Sequence, residues 1–157
     1  MANQTEVKVQ LTGVHLCCQG CVNAVDSAVK NVEGAESQCD LDNGTVTLTA
    51  NDDITAQMAL DAIAAAGFYG STDNEQLAMK AVSSIPHGKV KGLKVSGIHN
   101  CCDLYCEAIR QAIATVDGVT GDTAKPGATA FEVTGDFDAE ALVKAINSAG
   151  FSAKVKQ

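Results

Sequence analysis

Val7, Val9 and Leu11 alternate with Lys8, Gln10 and Thr12, the period-two pattern of a strand with one buried face. Leu93 and Val95 repeat that alternation around Lys94 and Ser96. Further along each stretch the apolar period lengthens to a helical one, through Val22, Val25, Val29 and Val32 in the first case and Ile109, Ala112, Ile113 and Val116 in the second. Gly34 and Gly118 predict where these helices stop. Asp42-Asn43-Gly44 followed by Val46 and Leu48 among threonines predicts a tight hairpin, and Lys125-Pro126-Gly127 before Phe131 and Val133 predicts its counterpart. Second helices are expected over roughly Ile54 to Ala66 and Ala139 to Ala149, after which Gly67-Phe68 and Gly150-Phe151 are expected to open a last short strand.

The two stretches are copies of one another. Gly13 and Gly97, His15 and His99, Cys17 and Cys101, Cys18 and Cys102, and Gly34 and Gly118 are all 84 positions apart, and the Gly-Phe pairs are 83 apart. Each copy reads β-α-β-β-α-β, the order of the ferredoxin-like split βαβ arrangement. The expected fold is therefore α+β, with two tandem ferredoxin-like βαββαβ domains, each a four-stranded antiparallel sheet with two helices on one face. The expected boundaries are 5–72 for the first domain, 73–89 for a linker or extended last strand carrying Met79, Pro86 and His87, and 90–157 for the second domain. Domains this small have marginal cores, so docking of the two, or metal binding, would add stability.

Composition narrows the function. A formal net charge of −8 across 157 residues leaves no concentrated basic surface, which argues against a nucleic-acid partner. No apolar run is long enough for a membrane span. No signal peptide is legible, and Met1-Ala2-Asn3-Gln4-Thr5 leads almost at once into strand-like residues, as in a chain trimmed after a signal cleavage site. An exported, periplasmic setting is the expectation, with a cytoplasmic one as the alternative.

Cysteine usage carries the chemistry. Six of the seven cysteines fall in His15-Leu16-Cys17-Cys18-Gln19-Gly20-Cys21 and His99-Asn100-Cys101-Cys102-Asp103-Leu104-Tyr105-Cys106. Thiolates grouped this tightly, with an imidazole ahead of them, form the ligand set of a soft or borderline ion such as Cu(I), Zn(II) or Hg(II). An odd number of clustered cysteines also argues against a regular disulfide framework. The candidate ligands are Cys17, Cys18, Cys21 and His15 in the first copy, and Cys101, Cys102, Cys106 and His99 in the second. Adjacent residues in an extended loop point in different directions, so Cys17 and Cys18 share one ion only if the loop bends between them. Cys102 and Cys106 are four apart, which would bring them together on one helix face. Cys39 has no counterpart, Thr123 standing at its place in the repeat, and reads as structural.

Cys18-Gln19-Gly20-Cys21-Val22, then Val25, Val29 and Gly34, with the hairpin and the Ala-Gly-Phe ending, resemble the heavy-metal-associated (HMA) domain family. That family's core pattern is Met-x-Cys-x-x-Cys before a valine-rich helix, and the resemblance covers most of both copies. It implies a pair of cysteines converging on one ion, usually Cu(I), at the start of the first helix. This chain departs from the pattern in three places. Leu16 replaces the methionine, Cys17 and His15 extend the cluster, and in the second copy Tyr105 aligns with Cys21 while Cys106 aligns with Val22.

The leading expectation is a non-enzymatic protein that binds Cu(I), with Zn(II) or Hg(II) as alternatives, for transport, transfer or sequestration, and hands it to a metal-transporting or metal-receiving partner. One alternative is a thiol–disulfide redox protein, since Cys-x-x-Cys near a helix start also serves dithiol exchange. The absence of tryptophan and the two scattered prolines, Pro86 and Pro126, argue against thioredoxin-like surroundings. Another is an interaction module whose clusters are structural disulfides. No hydrolytic triad, phosphate loop or paired catalytic carboxylates stand out.

Overall fold

The structure, a computed structural model, describes residues 6–16, 18–79, 85–98 and 103–156. The first module runs β1 (Val7–Thr12), α1 (Gln19–Lys30), β2 (Ala35–Asp40), β3 (Thr45–Ala50), α2 (Asp53–Ala65) and β4 (Ser71–Thr72). The second repeats that order as β5 (Lys89–Ser96), α3 (Asp103–Ala114), β6 (Val119–Asp122), β7 (Ala130–Asp138), α4 (Ala139–Ser148) and β8 (Lys154–Lys156). Each module closes one antiparallel four-stranded sheet, in the orders β2-β3-β1-β4 and β6-β7-β5-β8. Both are the expected ferredoxin-like arrangement.

The alternation read in the sequence is what orients the sheets. Val9 and Leu11 of β1 and Val46, Leu48 and Ala50 of β3 turn inward to meet Val25 and Val29 of α1 and Ala59, Leu60 and Ile63 of α2. In the second module Leu93, Val95, Phe131 and Val133 meet Ile109, Ile113, Leu142 and Ile146 in the same way. Register holds because a one-residue slip would turn every one of these side chains to water.

Gly34 and Gly118 lie beyond the helices rather than at their caps. Both adopt positive φ in the turn leading to β2 and β6, where a Cβ would collide with Asn51 in one module and with the Asp136 carbonyl in the other. Residues 73–79, expected as part of a linker or extended last strand, fold back onto the first module. Leu77 and Met79 are buried, and the Gly70 N–H donates to Met79 Sδ at 3.2 Å.

Gly67-Phe68 and Gly150-Phe151 do not open the last strands, which start later, at Ser71 and Lys154. Instead Phe68 and Phe151 form an antiparallel bridge to each other, joining the modules. The Tyr69 N–H donates to the Gly150 carbonyl at 3.0 Å, and the Ser152 N–H to the Gly67 carbonyl at 2.9 Å. Backbone groups left over at the end of each second helix thus find partners in the other module. Apolar side chains close around this junction, so one contiguous core runs through both modules. None of the described helices is long and apolar enough to cross a membrane.

Candidate metal centre

All four helix starts need partners for their leading N–H groups. At α2 and α4 a carboxylate serves, Asp52 accepting from the Thr55 N–H and Asp138 from the Ala141 N–H. At α1 the cap position is held by Cys18, whose side chain makes no capping hydrogen bond, and the first turn carries no acidic residue. The positive end of this helix dipole therefore faces a sulfur rather than a carboxylate, an environment that favours an anionic ligand.

One turn later the helix period brings Cys21 back to the same side. The Sγ atoms of Cys18 and Cys21 are 3.7 Å apart. That is well beyond the roughly 2.05 Å of an S–S bond, so no disulfide joins them. It is close to the ~3.8 Å that separates two sulfurs held at about 2.3 Å by a tetrahedral ion. The Cys18 side is exposed and Cys21 is fully buried.

Cys21 is covered from the second module. Its sulfur lies 2.7 Å from the phenolic oxygen of Tyr105, and the Tyr105 hydroxyl also donates to the His15 backbone carbonyl. The His15 imidazole packs between two rings of the second module, stacked on Phe151 at a centroid distance of 4.8 Å and edge-on to Tyr105 at 4.3 Å. Burial lowers its pKa. Tyr105 and Phe151 of the second module thus pack against Cys21 and His15 of the first.

The sequence-derived candidates separate accordingly. Cys18 and Cys21 are brought together, as expected. Among the described residues no group of three or more His, Cys, Asp or Glu side chains that could hold a metal ion is assembled. Cys17, His99, Cys101 and Cys102 lie outside the described residues. Cys106 is buried on α3 in an open cleft it shares with Asp103, Glu107, Arg110 and Asp122. Burial pushes its thiol pKa up, and Arg110, itself paired with Asp122 at 3.4 Å, opposes the shift. Cys39, read as structural, is half-buried beside Asp26, and burial together with that carboxylate pushes its pKa up to about 12. His87 is exposed and lies 3.4 Å from Glu140.

Tyr105 is the neighbour of the thiol pair that the sequence did not single out. Its alignment with Cys21 was legible, but that its hydroxyl meets Cys21 itself was not. The signal available was the substitution of a ligand position by a residue that is also a polar hydrogen-bonding group.

No family model matches the chain, and no curated protein matches it. Among solved structures it is similar to the N-terminal soluble domains of Bacillus subtilis CopA, at 12% identity and a TM-score of 0.34, over 98% of this chain and 95% of that one. It is also similar to the first two RRM domains of the yeast poly(U) binding protein Pub1, at 12% identity and a TM-score of 0.27, over 96% and 98% of the two chains. At these scores neither likeness bears on the site, whose reading rests on the geometry above.

Proposed function

We propose that this chain is a non-enzymatic binder of thiophilic metal ions, with Cys18 and Cys21 as its primary ligands and Cu(I) as its preferred cargo. What supports this reading is the 3.7 Å separation of two sulfurs at a helix start that no carboxylate caps. Neither sulfur has to travel far to grip one ion. A tetrahedral site needs no change in their spacing, and a linear two-sulfur site needs about 4.6 Å, which rotation of the exposed Cys18 supplies. The resemblance of Cys18-Gln19-Gly20-Cys21-Val22 to the HMA pattern supports the same ligand pair.

Cys17 stands next to the pair in sequence and is the natural third sulfur, which would favour Cu(I) or Hg(II) over Zn(II). Transfer then proceeds by ligand exchange with a metal-receiving protein. An acidic surface, with a formal charge of −8, suits a more basic partner. Equilibrium dialysis against Cu(I), Zn(II) and Hg(II) under reducing conditions tests the assignment. Binding should disappear in Cys18→Ser/Cys21→Ser and persist in Cys39→Ser; binding that survives the double substitution refutes it. Insulin-reducing activity well above that of dithiothreitol alone would favour the redox alternative instead.

A further inference from the structure

The modules meet through equivalent positions. Cys21 and Tyr105 are one repeat period apart, 84 residues, and their side chains touch. Phe68 and Phe151, also repeat-mates, form the bridge between the modules. Contact between a residue and its own equivalent is the mark of a two-fold arrangement, so the chain is an internal pseudo-dimer with the starts of α1 and α3 turned toward each other. The approach is close. A Cβ on Gly150 would lie 2.5 Å from the His15 nitrogen and 2.7 Å from the Gly13 carbonyl oxygen.

This docking has a consequence for the thiol pair. An ion bound by both sulfurs must reach Cys21, which is fully buried with Tyr105 against it. The phenolic oxygen is not placed to be a co-ligand. Sulfur and oxygen donors on one tetrahedral ion stand about 3.5 Å apart, whereas here they are 2.7 Å apart, in direct contact with no room for an ion between them. Tyr105 caps the sulfur.

Building on the metal-binding reading, we propose that Tyr105 latches the second module over Cys21, so that closed docking of the modules and metal loading exclude each other. The ion is captured first at exposed Cys18. Engagement of Cys21 then replaces the sulfur–phenol contact with a metal–sulfur bond, the thiol proton leaving to solvent and the phenol being released with its module. Because only the open form is competent, the apparent affinity is reduced by the fraction open, and by reciprocity the ion drives the modules apart.

Tyr105→Phe tests the latch, since it retains the ring packed on His15 and Phe151 and removes only the hydroxyl. In competition titrations with Cu(I) the variant should bind more tightly, by about two- to tenfold for each of the hydroxyl's two contacts, with Cys21 and with the His15 carbonyl. In metal-free protein, maleimide labelling of Cys21 should speed up by a similar factor, with Cys18 unchanged. Gly150→Ala should act as a wedge and produce both effects. Gly13→Ala, where φ is also positive but a Cβ meets nothing within 4 Å, controls for backbone strain. In wild-type protein, one equivalent of Cu(I) should accelerate hydrogen exchange at the Tyr69 and Ser152 amides, which bond across the junction. Unchanged affinity and labelling in Tyr105→Phe, or no acceleration of those amides on loading, overturns the latch alone. Weaker Cu(I) binding in the variant would instead make Tyr105 a ligand. A wild-type protein that binds no Cu(I) overturns the latch together with the reading beneath it.

Discussion

The starts of α1 and α3 are copies of one scaffold with different chemistry. In α1 the inward position of the first turn is Cys21, and Cys18 lies opposite it at the cap. In α3 the same inward position is Tyr105, and the cysteine has moved on by one residue to Cys106. One residue along a helix turns a side chain by about 100°, so the slip carries the sulfur away from the junction and into the cleft of Arg110 and Asp122. The vacated position holds a phenol that reaches the sulfur of the other copy. Duplication preserved the fold, while the Cys18–Cys21 pair stands in one module and the phenol that covers Cys21 in the other.

The largest expected contrast is in metal binding. Cys18→Ser/Cys21→Ser should lower Cu(I) affinity by at least about a hundredfold, since it removes both thiolates from a soft ion, whereas Cys106→Ser should change it by less than about threefold. A chelator competition titration reads both, and equal losses would erase the distinction between the modules. Next in size is the shared junction. Phe68→Ala and Phe151→Ala each remove a fully buried ring and should cost about 3–5 kcal/mol in urea unfolding. Similar costs for the two, and a single unfolding transition in wild type, are expected of repeat-mates in one core.

Within the second module, Gly118→Ala should cost more than about 2 kcal/mol and Gly127→Ala about 1–2 kcal/mol. Both sit at positive φ, but only at Gly118 does backbone stand where the Cβ would go. Smaller still are the helix caps. Asp52→Ala and Asp138→Ala should each cost about 1 kcal/mol, while Cys18→Ser, which installs a favoured capping residue, should leave thermal stability unchanged or slightly raised. That result would show that the Cys18→Ser substitution by itself does not cost the fold.

The smallest effect is on pH dependence. The folded-state pKa of His15 lies below its ordinary value because the ring is partly buried against the second module. Above the ordinary pKa of about 6.5 the ring is neutral in both states and contributes no slope. As pH falls through that value the unfolded chain takes up the proton first, so stability falls on acidification. Comparing His15→Gln with wild type between pH 7.5 and 5.5 should show a shallower decline in the variant; identical slopes would place the ring in water.

The sheets and helices were legible because each alternating segment has one buried face, and because the same pattern occurs twice. Val9 and Leu11 against Val46 and Leu48 follow directly from period two. Residues 73–79 were not legible, since Leu77 and Met79 are anchored singly, by tertiary contacts that leave no period. The roles of Gly67-Phe68 and Gly150-Phe151 were misread for a related reason. Their bonds are to the other module, and a pattern read along one copy predicts partners only within it. Of the site, the pairing of Cys18 with Cys21 is what the resemblance of Cys18-Gln19-Gly20-Cys21-Val22 to the heavy-metal-associated pattern implies. The covering of Cys21 was not legible, because it depends on how the two copies dock, and Tyr105 is the residue through which they do so.

X-ray absorption on protein loaded with one equivalent of Cu(I) addresses the thiol pair most directly. A first shell containing two or more sulfurs in the wild type, reduced to lighter donors or to no bound copper in Cys18→Ser/Cys21→Ser, is the predicted result. A sulfur shell that persists in the double variant would place the ion elsewhere and contradict the account.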